Sequence, residues 1–207
     1  MSRFDSSDRV ASVPPSGIRK YFELAEEADD VISLGVGEPD FSAPWAAREA
    51  AIESLERGRT SYTANRGMLE LREAIAEDVA AWGLEYDPEE EIVVTAGASE
   101  AVDASMRAFV DSGDRVAVHE PTYVSYRPTI VFAGGEPLAV PTTAETEFVL
   151  TPEALRAAGA DEAEVLVLCY PNNPTGATAS RDELADIAAF CREHDLLVVA
   201  DEIYAAL

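Results

Sequence analysis

The sequence predicts an α/β fold organised around a mainly parallel β-sheet. Two observations carry that prediction. Short apolar runs rich in β-branched residues recur along the chain, and stretches of helical periodicity separate them. Strands covered on both faces read as continuous apolar runs, and an intervening helix is the usual crossover between parallel strands. At 207 residues the chain is long enough for one sizeable core.

The elements follow in order. A polar start with Pro14 and Pro15 leads into a helical stretch from Ile18 to Ala28, then the apolar piece Val31 to Leu34 and a loop punctuated by Pro39 and Pro44. Trp45 to Arg57 reads as a helix with Ala47, Ala51, Ile52 and Leu55 on one side. Met68 to Trp82 is another, with Met68, Leu71, Ile75, Val79 and Trp82 at helical spacing and Gly83 suited to its C-terminal cap. Strands are expected at Glu91 to Thr95, Arg115 to Val118, Leu138 to Val140, Val165 to Cys169 and Leu196 to Ala200. The helices between them are Ser99 to Val110, Tyr123 to Phe132, Pro152 to Ala158 and Ser180 to Glu193, the last opened by a capping box of Ser180 with Glu183. The run Asp201 to Leu207 has no closing helix or polar tail, so the sheet is expected to be incomplete.

Charge narrows the function classes. Forty acidic residues against fifteen basic ones leave a formal net charge of −25. Such a surface repels nucleic acid and anionic membranes. Lys20 is the only lysine; the other basic residues are arginines. Acidity with so little lysine reads as halophile-like, since high salt screens self-repulsion; a generally acidic bacterial protein is the alternative. There is no apolar run of the roughly 18 residues a membrane span needs, nor a signal-like N-terminus, so a cytoplasmic location is expected. Cys169 and Cys191 lack metal-ligand spacing and read as small buried hydrophobes; no metal site is expected.

Ligands of open α/β sheets collect at the carboxyl ends of the strands, so the residues standing there matter most. After the first expected strand, Gly97-Ala98-Ser99 opens a helix, leaving backbone N–H groups at its positive end where a phosphate can bind. An ordinary tight turn with Ser99 as cap is the other reading. After the second, Pro121-Thr122-Tyr123 places an aromatic ring where it can stack on a flat ligand or pack into the core. After Cys169 comes Tyr170-Pro171-Asn172-Asn173-Pro174-Thr175-Gly176, two prolines and a glycine fixing the backbone around Asn173. After Ala200 comes Asp201-Glu202-Ile203-Tyr204. A carboxylate directly after five apolar residues needs a partner if buried; a cationic ring nitrogen would serve, and capping of a following helix is the alternative.

In this order, these motifs resemble the class I/II aminotransferases, fold type I of the pyridoxal-phosphate (PLP) enzymes. Ile32 to Phe41, and Tyr62-Thr63-Ala64-Asn65-Arg66-Gly67 leading into Leu69 to Arg72, agree with it. The resemblance implies a three-layer αβα PLP-transferase-like large domain, here incomplete and without the small C-terminal domain. Residues 1–45 would be an N-terminal segment with a substrate-side loop, and 46–207 the truncated PLP-binding domain.

By the same resemblance, Gly97, Ala98 and Ser99 would hold the PLP phosphate, and Tyr123 would stack on the ring. Asn173 and Tyr204 would bond the phenolic oxygen, and Asp201 would pair with the ring nitrogen. Gly37, with Tyr123 and Asn173, would face the substrate. Tyr62 would reach the phosphate of a neighbouring subunit, implying a homodimer. The implied activity is transfer of an amino group between an amino acid and a 2-oxo acid in amino-acid metabolism and biosynthesis.

The family's Schiff-base lysine follows the Asp-x-x-Tyr motif; here the only lysine is Lys20, so no catalytic residue is assigned and an inactive fragment is expected. A lyase or decarboxylase of the same fold, and a non-catalytic PLP-binding or interaction fragment, are the alternatives. A transcription regulator with this domain would need a basic upstream module, which residues 1–30 do not form.

Overall fold

The computed structural model describes residues 5–15, 17, 37 and 41–206. The helix expected at Ile18 to Ala28, the piece Val31 to Leu34 and Lys20 lie outside them. The chain divides into two compact units: Met1–Pro15 with Ala96–Leu207, and Ser16–Thr95. In chain order the helices are α1 (Asp8–Ser12), α2 (Trp45–Glu56) and α3 (Leu69–Ala80), and from α4 (Ala98–Phe109) they alternate with strands. There follow β1 (Arg115–Glu120), α5 (Tyr126–Ala133), β2 (Glu136–Pro141), α6 (Pro152–Ala158), β3 (Val165–Cys169), α7 (Arg181–Glu193) and β4 (Leu197–Asp201).

The larger unit is a four-stranded sheet of order β2-β1-β3-β4, and every pairing is parallel. Alternate residues along the central strands feed two cores. Val116, Val118, Val165, Val167 and Cys169 point to one face, where they meet Val102 and Met106 of α4 and Tyr126 and Ile130 of α5. Ala117 and Leu166 point to the other, against Leu155 of α6 and Ile187, Phe190 and Cys191 of α7. Helices thus cover both faces, giving the expected three layers. Both cysteines are free and buried.

Helix boundaries follow local chemistry. Ser180 and Glu183 form the expected capping box at the start of α7, and Thr151 accepts the Ala154 N–H at the start of α6, whose first residue is Pro152. α5 begins at Tyr126, three residues later than expected: Tyr123 lies in the preceding turn, where its carbonyl accepts the Tyr126 N–H. His194, the residue that follows α7, is half-buried, with its ring 4.5 Å from that of Phe190.

In the smaller unit, α2 and α3 have the expected bounds within a few residues. Arg72 of α3 is buried; its guanidinium donates to the carbonyls of Gly67, Pro88 and Glu89 and ties the helix to the segments before and after it. Gly67 has φ +94°, and a Cβ there would stand 2.7 Å from Val94, so both backbone and space demand glycine.

Glu91 to Thr95 does not form the expected strand. Ile92 is buried but Val93 is exposed, and the Val94 N–H reaches only the Arg66 carbonyl. Its β-branched residues suit a pleated surface, but among the described residues no neighbouring strand supplies a ladder.

Candidate functional site

A cavity of about 560 Å³ opens in the larger unit at the carboxyl end of the sheet. Gly97, Ala98, Ser99, Tyr123, Asn173, Asp201 and Tyr204 all line it. They arrive from different connections of the sheet, which is why residues more than a hundred positions apart converge.

One wall is the start of α4. No side chain caps this twelve-residue helix, so its first-turn N–H groups carry the positive end of the helix dipole. Gly97 is extended, at φ 166°, and a Cβ there would meet no heavy atom within 4 Å. The Glu100 carboxylate accepts the Ala96 N–H.

The opposite wall comes from the loops after β1, β3 and β4. The Asn173 side-chain amide donates to the Tyr204 hydroxyl at 3.1 Å. Asp201 ends β4, directly beside Cys169 in the β3 register. Its Oδ2 accepts the Tyr126 hydroxyl at 2.7 Å and its Oδ1 accepts the Ile203 N–H at 3.1 Å. The second bond closes a local turn, and among the described residues no helix follows for Asp201 to cap; the other oxygen is engaged in the cavity wall. Tyr123 meets Tyr126 edge-on, ring centroids 5.6 Å apart and planes at 81°.

Beneath these residues the loops are fastened to one another. Asn172 is buried, and its amide donates to the Pro121 carbonyl at 3.1 Å and to Thr175 Oγ1 at 2.8 Å. Gly176 closes the same loop, its N–H donating to the Asn172 carbonyl at 2.8 Å, with φ +71°. His119, wholly buried at the end of β1, accepts the Cys169 N–H through Nε2 at 3.3 Å and stacks on Tyr170 at 5.2 Å. Burial pushes the His119 pKa down to about 4, so at neutral pH the imidazole is uncharged and its other nitrogen carries the proton.

Sequence reasoning does not place Tyr126, Asn172 and His119 at the site. Tyr126 stands three residues after Tyr123, a spacing that puts two residues on one helical face, but an aromatic in an apolar helix reads as core. Asn172 is next to Asn173, inside the same proline-bounded turn. Gly37 and Tyr62 belong to the smaller unit, where Gly37 is exposed and Tyr62 is fully exposed. Among the described residues no group of acidic, histidine or cysteine side chains could hold a metal, and no helix is long and apolar enough to cross a membrane.

The family description "Aminotransferase class I and II" matches residues 29–207. The chain belongs to the class I and II aminotransferases. Among curated members of this family, it is 44% identical to the aspartate aminotransferase of Pyrococcus abyssi and 42% identical to aromatic-amino-acid aminotransferase 2 of Thermococcus litoralis. Each comparison covers 96% of this chain and 51% of the relative. The solved aspartate aminotransferase of Thermus thermophilus with maleate is 40% identical, with a TM-score of 0.88 over 95% of this chain and 53% of that one. The chain therefore spans about half the length of the aminotransferases it matches. Class I and II aminotransferases are PLP-dependent transferases, and the cavity suits their cofactor. The uncapped helix start and the open space at Gly97 fit a phosphate. Tyr123 offers an aromatic face, and the Asn173–Tyr204 pair and Asp201 offer polar contacts of the right kinds for a hydroxylated pyridine ring.

Proposed function

We propose that this chain forms the cofactor cradle of an enzyme that transfers an amino group between an amino acid and a 2-oxo acid, in amino-acid metabolism and biosynthesis. One observation carries the reading: a single cavity gathers an uncapped helix start, an aromatic ring, an Asn–Tyr pair and a carboxylate.

In this reading the N–H groups of Gly97, Ala98 and Ser99 bind the PLP phosphate, with the helix dipole favouring the anion. Tyr123 stacks on the ring and helps exclude water from it. Asn173 and Tyr204 orient the ring through its phenolic oxygen. Asp201 holds the ring-nitrogen proton, because a carboxylate beside a cation in a low-dielectric site favours the charged form of both. Bound in this way, PLP supplies an electron sink for the substrate's α-carbon. Gly37, Tyr123 and Asn173 contact the substrate, and Tyr62 reaches the phosphate of a neighbouring subunit in a homodimer. Residues 1–45 form the substrate-side segment, and 46–207 belong to the cofactor domain. A cytoplasmic protein adapted to high salt accounts for the charge of −25.

Lys20 is the only lysine in these 207 residues, and it precedes every motif of the cradle. That observation favours testing the cradle through non-covalent binding, and it also supports a second reading, a PLP-binding fragment without catalysis. Titration with PLP, followed by induced circular dichroism in the cofactor band, should give saturable binding that inorganic phosphate competes away. Asp201→Ala should weaken it about ten-fold or more, the cost of removing a hydrogen-bonded charged partner. Absence of saturable binding to the folded chain would overturn the proposal.

A further inference from the structure

Tyr126 belongs to both the core and the cavity. It is 1% exposed and packs in the cluster with Val118, Val167 and Cys169, yet it contributes to the cavity lining. Its hydroxyl grips Asp201 Oδ2 at 2.7 Å across 75 residues of sequence. Its ring edge bears on Tyr123, 5.6 Å between centroids.

Each contact addresses a torsion that would otherwise be loose. The terminal torsion of an aspartate is broad, so one hydrogen bond to one oxygen does not set the plane of the carboxylate. Here both oxygens are held, Oδ1 by the Ile203 N–H and Oδ2 by Tyr126. A tyrosine ring in a loop is equally free to tilt, and an edge-to-face neighbour limits that tilt.

We propose that Tyr126 is a positioning residue for the cofactor ring, fixing the Asp201 carboxylate with its hydroxyl and the Tyr123 face with its ring before the cofactor enters. The inference rests on the cofactor cradle proposed above. Burial first, then the neighbouring Cys169 thiol and the Asp201 carboxylate, raise the Tyr126 phenol above its ordinary pKa. The hydroxyl therefore remains a donor over the working pH range.

Two probes isolate the hydroxyl's action: pyridoxamine 5′-phosphate, and the same compound with its ring nitrogen replaced by CH. The second has no ring-nitrogen proton for Asp201 to receive. Calorimetric titration of the full chain and of Tyr126→Phe, which keeps the ring edge, compares them. The variant should bind pyridoxamine phosphate about ten-fold more weakly, while its affinity for the nitrogen-free analogue should stay within about two-fold of wild type. In the Asp201→Asn background, Tyr126→Phe should add little further loss. Unchanged affinity for pyridoxamine phosphate would overturn the proposal. Equal losses for both probes would overturn it as well, because they would mark general damage to the pocket. A wild-type chain that binds neither probe would instead remove the cofactor cradle itself, and this inference with it.

Discussion

The two units treat their apolar residues in opposite ways. In the larger one, Met106, Ile130, Leu155 and Leu166 are wholly buried, and each helix around the sheet from α4 to α7 contributes to one of the two cores. In the smaller one, α2 buries no residue at all, and Trp45, Ile52 and Leu55 are more than half exposed. Yet both regions carry helical apolar periodicity in the sequence. Periodicity states a demand for burial; whether the demand is met depends on what lies across from the helix. The larger unit meets it internally, and it is the larger unit that holds the cavity.

Three measurements put this contrast at risk. The largest effect should come from Leu166→Ala, which empties a wholly buried site in the core beneath α6 and α7. It should cost about 2–5 kcal/mol by urea unfolding, whereas Leu55→Ala on α2 should change stability by no more than about 0.5 kcal/mol. Similar costs at the two positions would mean that the exposure of α2 does not describe the chain in solution.

The next effect is pH-dependent. His119 is held neutral when folded, with its pKa lowered to about 4 from the ordinary 6.5. The unfolded chain therefore takes up this proton first on acidification. Above pH 6.5 the group costs nothing; between 6.5 and 4 the unfolded state gains up to about 3 kcal/mol. His119→Gln should remove that part of the acid sensitivity, measured as the difference between wild-type and variant unfolding free energies at about pH 7 and about pH 4.5. An identical pH dependence in the two proteins would show that His119 is not held neutral.

The smallest effect concerns a helix end. Ser180→Ala breaks the capping box of α7 and should cost about 1 kcal/mol. The same substitution has no counterpart in α2, which starts after Pro44 without a side-chain cap. A loss on Ser180→Ala as large as that of Leu166→Ala would indicate a packing role that the cap alone does not explain.

Much of the larger unit is legible in the sequence because its signals are local. The bounds of α6 and β3 are the expected ones, and the pairing of Ser180 with Glu183 marks the start of α7 from three residues of spacing alone. Asp201 is legible for a physical reason: a carboxylate directly after an apolar strand demands a partner. The identity of the partner is not legible. Tyr126 lies 75 residues earlier, and nothing in its own helix distinguishes it from an ordinary core aromatic. Glu91 to Thr95 fails in the reverse sense: its composition suits a strand, but a strand is a pairing, and the pairing is not written in so short a run. Asn173 could be singled out from its rigid turn, whereas the grip of Asn172 on the loop after β1 spans 51 residues and exists only in three dimensions.

That grip has a consequence for affinity. The Asn172 amide joins the loop carrying Tyr123 to the loop carrying Asn173 through protein contacts alone, so these two loops of one wall are already ordered relative to each other. A ligand entering such a site forfeits little loop entropy on binding, and more of each contact is retained as net affinity. Releasing the fastening with Asn172→Ala would then act chiefly on the entropy of association, leaving each contact with the ligand available but no longer arranged in advance.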